Sequence, residues 1–334
     1  KHHCLHMKQH TKIITIIIAF LLFAGLPTKS FSFGFYAHKK INRMAVFALP
    51  PEMIGFFKKH IDYIIEHATD PDKRSRGVVG EAEKHYIDVE LYGDSSLSDI
   101  PKFWKAAIEK FTEDTLRANG INPWWTSKMV YNLMLAFKDE DFDKILYNAA
   151  NLGHYIADAC TPLHTSTYYD GKILEQKGIH AFWETRLPEL YSDNYNYLTG
   201  RAEYIEKPYE FIWQLMQESH VCVDTVFVVE TDLRLNYPQD RIFVYDEKGT
   251  VIKKQYSKEY CDEFNKRTNN QVERRMRRAV YAVASLWYTA WVNAGQPDLS
   301  RLENKEISKE HKKQLEETEK MWETGKPIGR PDPY

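Results

Sequence analysis

Gly153-His154-Tyr155-Ile156-Ala157-Asp158, followed by Pro162-Leu163-His164, decides how this chain is read. Upstream stands Ala149-Ala150-Asn151-Leu152 and downstream Ala159-Cys160, so the stretch is apolar apart from its His and Asp. The pattern predicts a helix over about 140–160. Side chains four apart on a helix share a face, so His154 and Asp158 project together. Pro162 stops the helix and His164 follows the turn. Polar groups on an apolar helix need a partner when buried, because burying them alone is costly.

Three more groups repeat the chemistry. His180-Ala181-Phe182-Trp183-Glu184 again spaces an imidazole and a carboxylate by four, His85-Tyr86-Ile87-Asp88 sets a His near an acid, and His38 stands alone. One such pair is ordinarily a solvated surface pair of little consequence. Together they supply five imidazoles and several carboxylates, the donor set that zinc prefers. Other active-site patterns are missing. The sequence has no His-Glu-x-x-His, no paired Glu-x-x-His, no Gly-x-Ser-x-Gly and no Cys-x-x-Cys. That removes zincin proteases, di-iron bundles, serine hydrolases and cysteine-rich structural zinc sites.

The amino-terminal stretch reads as a leader. Met7 is followed by Lys8 and Lys12, an apolar run Ile13–Leu26, and small residues Ser30 and Ser32. This is the form of a secretory signal, and the run is short for a membrane span. Cleavage after Ser32 leaves Phe33 as the new amino terminus and implies a secreted or periplasmic protein. The chain has 45 basic and 47 acidic residues; residues 1–32 hold four lysines and no acid, so the remainder is more acidic. That balance does not favour a long polyanion as partner. Export permits disulfides. Cys160, Cys222 and Cys261 remain, and a Cys222–Cys261 bridge stands open beside three buried thiols.

The rest reads as all-α, one multi-helix domain over 33–296 followed by a charged tail, 297–334. Helices are expected at 39–48, stopped by Pro50-Pro51, at 52–68, at 100–118 before Asn119-Gly120, from Asn122-Pro123 onward, at about 178–191 and at 271–294. A small hairpin is expected near 241–254, with Arg241–Tyr245 and Thr250–Lys254 flanking Asp246-Glu247-Lys248-Gly249. The tail, dense in Lys and Glu, reads as a solvated helix and a loose end.

On Phe33 to His38, Asp70 to Asp88, His154 to His164 and His180 to Glu184, the sequence resembles the superfamily that joins zinc-dependent phospholipases C with single-strand-specific zinc nucleases. The resemblance covers roughly residues 33–190 and implies three zinc ions per chain. One would be held by Asp70, His85, His154 and a bridging Asp158. A second would be held by His164, His180 and Glu184. A third would be held by the α-amino nitrogen and carbonyl of Phe33, by His38 and by Asp158. The family usually has Trp at the position of Phe33. Asp70 is preferred to its near neighbour Asp72 on distance to His85, and is the expected catalytic group that orients or deprotonates water. Tyr86, Asp88 and Tyr168 are candidate substrate contacts. The run Leu152–Tyr155, the ending Gly178-Ile179-His180 and Glu184 lean toward the phospholipase C branch, and Thr165–Lys172 lacks the Gly-Gly-Asn of the nucleases. The implied substrate is a phospholipid or another phosphodiester, reached by transient membrane-surface contact. Nucleic acid enters as substrate only. The alternatives are a nuclease or nucleotidase and a non-catalytic zinc-binding homologue.

Overall fold

The computed structural model describes residues 35–93, 97–248 and 251–330, all within one unit, Phe33–Tyr334. The apolar run Ile13–Leu26 and Phe33 lie outside the described residues. The fold is all-α with one two-stranded hairpin. In chain order the helices are α1 (Phe35–Val46), α2 (Pro51–Lys59), α3 (Ile61–Glu66), α4 (Asp70–Arg74), α5 (Trp104–Phe111), α6 (Glu113–Ala118), α7 (Asn122–Lys138) and α8 (Phe142–Ala159). After these come α9 (Ile179–Ala181), a π turn (Phe182–Arg186), α10 (Leu187–Tyr191), α11 (Pro208–His220) and α12 (Val223–Asn236). Strands β1 (Phe243–Lys248) and β2 (Val251–Tyr256), then α13 (Lys258–Arg267), α14 (Gln271–Asn293) and α15 (Lys309–Thr324), complete the chain.

Helix α8 is the axis of the molecule. Every residue from Asn148 to Ala159 is buried. Such a helix must be small or apolar on all sides, and this one is built from Ala, Leu, Ile, Gly and Tyr around its few polar groups. The Asp141 carboxylate caps its start by accepting from Lys144 N at 3.2 Å. At its far end Ser219 Oγ donates to Ala159 O at 2.6 Å and Arg275 Nε donates to Cys160 O at 2.9 Å. These bonds satisfy carbonyls that the helix itself leaves open. Helix α7 packs along α8, and α14 spans α1, α7 and α8. Trp287 of α14 is fully buried, donates its indole N–H to Ala149 O at 3.0 Å and stacks on Phe57 at 5.0 Å.

Gly153 lets α1 lie directly on α8. A Cβ there would stand 1.9 Å from Asn42 Oδ1. Asn42 cannot swing aside cheaply, since its amide donates to Ile64 O at 3.2 Å and to Ala150 O at 3.0 Å.

Several expected elements differ in detail. The first helix begins at Phe35 rather than 39. The helix expected over 52–68 breaks at His60, whose ring lies between Phe56 and Phe142. The helix expected over 100–118 breaks at Thr112, with φ +67°, which starts a second helix by accepting from Thr115 N. Helices α11, α12 and α13 were not singled out from the sequence. In the hairpin Phe243 pairs with Tyr256 and Lys248 with Val251, so Asp246–Lys248 are strand and not turn; Gly249 and Thr250 lie outside the described residues. Cys160, Cys222 and Cys261 are free thiols, which removes the Cys222–Cys261 bridge. Beyond its helix the tail touches the fold as far as Arg330. Ile328 N donates to Ser75 O at 2.9 Å, and Arg330 reaches Asp88 at 2.6 Å.

Gly153→Ala is expected to destabilise the protein by about 1–3 kcal/mol, the usual penalty for overpacking a filled interior. Urea unfolding of the metal-free protein measures this. An unchanged midpoint would show that α1 can move away from α8.

Candidate metal centre

Six segments of the chain deliver polar side chains to one buried volume. Helix α1 brings His38, and α4 brings Asp72. The segment after α4 brings His85, and α8 brings His154 and Asp158. The turn after α8 brings His164, and the π-turn region brings His180 and Glu184. All eight are buried. A π turn is rare and clusters at functional sites; this one begins two residues after His180 and contains Glu184.

The side chains form three overlapping donor groups. Asp72, His85 and His154 make one; His38, His154 and Asp158 make another; His164, His180 and Glu184 make the third. Within each, the donor atoms lie within 4.8 Å of one another. His154 Nε2 is 3.3 Å from Asp72 Oδ1 and 3.3 Å from Asp158 Oδ2. His85 Nδ1 is 3.1 Å from Asp158 Oδ2. Asp158 Oδ1 faces His38 Nε2 at 3.6 Å and His164 Nε2 at 3.9 Å. Glu184 Oε2 lies 2.7 Å from His180 Nε2 and 3.2 Å from His164 Nε2, while its Oε1 is 3.1 Å from His38 Nε2. Glu184 therefore touches two groups, where the sequence reading gave it one.

Two imidazoles have their tautomers set from behind. His154 Nδ1 donates to Ala68 O and His164 Nδ1 donates to His85 O, both at 2.8 Å. Their Nε2 atoms are left to face the cluster, where they meet carboxylate oxygens and further imidazole nitrogens. His180 Nε2 is 3.1 Å from His164 Nε2, and His85 Nδ1 is 3.1 Å from His154 Nε2. Asp72 Oδ2 and His85 Nε2 are buried with no hydrogen-bond partner among the described residues. A buried knot of imidazoles and carboxylates is costly by itself and fits cations placed among them. The nitrogen and carboxylate donors suit zinc, and a backbone carbonyl behind each of two ligand imidazoles is the usual support of such a site.

Electrostatics agree with that fit. Burial pushes the His85 imidazole down to about 3, aided by the neighbouring His154. Burial also lowers His180. Burial works to raise Asp72, yet the imidazoles of His154, His85 and His38 outweigh it and hold the carboxyl below its ordinary range. Glu184 is held well below its ordinary value against burial, by His164, His180 and His38. Asp72 and Glu184 are thus held ionised and His85 and His180 neutral, the forms that bind metal.

Asp70 does not face this volume. It accepts from His67 Nδ1 at 2.8 Å and pairs with Lys73 Nζ at 3.2 Å, and Lys73 in turn meets Glu319 of α15 at 2.8 Å. The correction is Asp72. The reason is helical: two residues on a helix differ by about 200° in direction, so within α4 only one of the pair can point inward. Phe33 lies outside the described residues.

At the rim, Tyr86 is buried and Asp88 holds Arg330. Tyr168 is 45 % exposed, with Lys172 Nζ 5.7 Å from its ring, and stands clear of the donor groups. Tyr169, its neighbour, packs edge-on against His180 at 5.9 Å. Arg330 escaped the sequence reading, and nothing local marks it: it is one basic residue in a charged tail. Behind the site Arg74 donates to Asn151 Oδ1 at 2.6 Å, and Tyr155 donates to Glu81. Burial works to raise the Glu81 carboxyl, but Arg74 and Lys84 bring it down to about 2.

No curated protein matches the chain. A family model described as zinc-dependent phospholipase C matches residues 37–222, which take in His38, Asp72, His85, His154, Asp158, His164, His180 and Glu184. A match over more than half the chain, on a helical fold with this donor cluster, makes the chain a member of the zinc-dependent phospholipase C family.

Proposed function

We propose that the protein is an exported phospholipase C that hydrolyses phosphodiesters of phospholipids at a centre of three zinc ions. Asp72, His85, His154 and Asp158 hold one ion, and His164, His180 and Glu184 hold another. His38, with Asp158 and the amino end of Phe33, holds the third. The observation that carries this reading is the orientation of two imidazoles: with Nδ1 held by a backbone carbonyl, His154 Nε2 and His164 Nε2 are turned toward carboxylate oxygens at 3.2–3.3 Å. Zinc bound among these donors lowers the pKa of water and offsets the charge of a phosphate ester.

The chain's own groups do the rest. Asp72, one oxygen of which has no hydrogen-bond partner among the described residues, orients a water and takes its proton, the role the resemblance gives to Asp70. Asp158 and Glu184 hold neighbouring groups in register because each spans two of them. The rim aromatics shape the entrance. The substrate is met in transient contact with a membrane surface; among the described residues no helix is long and apolar enough to cross one. Export supplies the free amine at Phe33, since an amide nitrogen is a poor zinc ligand.

Three tests follow. The zinc-loaded protein beginning at Phe33 is expected to cleave phosphatidylcholine faster than single-stranded nucleic acid, in parallel assays. Preference for the nucleic acid would move the reading to the nuclease branch, and inactivity on both at full zinc content would leave a binding protein. Asp72→Asn is expected to lower zinc affinity by more than about tenfold, as loss of a metal-supporting group does, with activity falling alongside. Asp70→Asn is instead expected to keep the zinc and lose about 2 kcal/mol of stability through its bonds to Lys73 and His67. Equal zinc loss in both variants would undo the assignment. Finally, a protein extended by one residue before Phe33 should bind one zinc fewer by elemental analysis; full occupancy would remove the amino-terminal ligand.

A further inference from the structure

Separate segments of the chain bring Asp72, His85 and His154 together, and the same segments meet again behind them at one carboxylate. Glu81 is 1 % exposed and stands in the stretch between α4 and His85. Its Oε1 accepts from Arg74 Nη2 at 3.2 Å and from the Tyr155 hydroxyl, and its Oε2 accepts from Lys84 Nζ at 2.7 Å. Arg74 lies on α4 one half-turn past Asp72, Lys84 immediately precedes His85, and Tyr155 follows His154 on α8. Each donor to Glu81 is thus a near neighbour of one member of the group. Arg74 ties α4 to α8 a second time by donating to Asn151 Oδ1 at 2.6 Å. The described bonds of the Glu81 side chain go to Arg74, Lys84 and Tyr155, and none goes to the segments that carry His38, His164, His180 or Glu184.

Tyr155 carries this hold to the imidazoles. Its ring is fully buried and meets His85 edge-on at 5.4 Å and His154 edge-on at 5.5 Å. A ligand imidazole is ordinarily oriented by a hydrogen bond from its other nitrogen. His154 and His164 have such a bond, to Ala68 O and His85 O. His85 does not: its Nδ1 faces Asp158 Oδ2 at 3.1 Å, and its Nε2 has no hydrogen-bond partner among the described residues. The edge of the Tyr155 ring stands in place of that bond. The tyrosine is itself held at both ends, by its hydroxyl on Glu81 and by Asn122 Nδ2, which donates to Tyr155 O at 3.1 Å. Stability alone is a poor reason for this arrangement, since burying an ion pair costs much of what its attraction returns. A hydrogen-bonded carboxylate supplies what an apolar cluster does not, a fixed direction between the segments it joins.

We propose that Glu81 is a positioning residue for the metal held by Asp72, His85 and His154: it sets the spacing of α4, the His85 segment and α8, and through Tyr155 it sets the tilt of the His85 ring. Glu81 touches neither metal nor substrate and acts through Arg74, Lys84 and Tyr155. The proposal rests on the zinc reading of the donor cluster. Donors that share a metal tolerate displacements of only about 0.5 Å and rotations of about 10–20°. Removing the charge of Glu81 leaves Arg74 and Lys84 without their shared acceptor and frees the Tyr155 ring to turn away from His85. The group made by His164, His180 and Glu184 draws on none of the Glu81 bonds, so the effect is confined to one metal.

The test compares the zinc-loaded chain beginning at Phe33 with its Glu81→Gln and Tyr155→Phe variants and with the two combined. Each is equilibrated with graded concentrations of nitrilotriacetic acid, and the zinc that stays bound is counted by elemental analysis. Anomalous diffraction at the zinc edge, from crystals of partly stripped protein, then shows which group has emptied. Each single variant is expected to lose the zinc at Asp72, His85 and His154 at a chelator concentration lower by about tenfold or more, the usual effect of removing a group that supports a ligand. Zinc at His164, His180 and Glu184 is expected to leave as it does from the intact protein. The combined variant should be no worse than Glu81→Gln, because the hydroxyl acts through that carboxylate. Tyr155→Phe keeps every charge and the ring, so it decides the matter alone if Glu81→Gln does not fold. Zinc held equally tightly by the intact protein and the variants overturns the proposal. So does an equal loosening of every group together with a lower Tm at full zinc content, which would make Glu81 a general brace. An intact protein that holds no zinc overturns the zinc reading and this proposal with it, whereas unchanged variants of a protein that does hold zinc overturn this proposal alone.

Discussion

Imidazoles and carboxylates crowded inside a packed helical core are the constraint on which this structure turns. His154 and Asp158 sit on α8, a helix with no exposed face over its last three turns, so neither can be relieved by water. Burying them is tolerable only if cations lie among them, or if other residues of the cluster share protons with them. Everything nearby serves to keep the donors in place. Ala68 O and His85 O fix two imidazoles, and Gly153 lets α1 bring His38 close enough to stack on His154 at 4.0 Å. Folding and metal binding are for that reason expected to be coupled: the fold without metal retains the unfavourable cluster.

The second feature is how far from the donors their supports lie in sequence. The Ala159 and Cys160 carbonyls at the end of α8 are taken up by Ser219 and Arg275, from α11 and α14. Asp70, turned away from the centre, ties α4 through Lys73 to Glu319 on α15. The charged tail thus braces the segment that carries Asp72, and its last described residue lies on the rim. A region whose composition suggests only solvation is built into the functional face.

Much of this was written in the chain. The apolar run around His154 and Asp158, Pro162 and the four-residue spacing of His180 and Glu184 gave the all-α class and most of the donor set, because helix periodicity and proline stops are local effects. Where local signals were weak the reading slipped. Thr112, followed by Glu113 and Asp114, carries an N-cap signal, yet the flanking residues look helical enough to hide the break. Helix α12 has mixed faces, leaving Val228 and Leu235 exposed while burying Val226 and Leu233, and periodicity alone does not reveal it.

Choosing Asp72 over Asp70 required the direction of a five-residue helix, and spacing to His85 along the chain cannot report direction. The bridging position of Glu184 and the seat of Arg330 depend on elements far apart in sequence meeting in space. The sequence by itself determined which donor types exist and which helices carry them, because periodicity and breakers act within a few residues. Only the tertiary structure decided which carboxylate turns inward, which side chain spans two groups and where Arg330 comes to rest, because those outcomes are set by long-range packing that leaves no local trace.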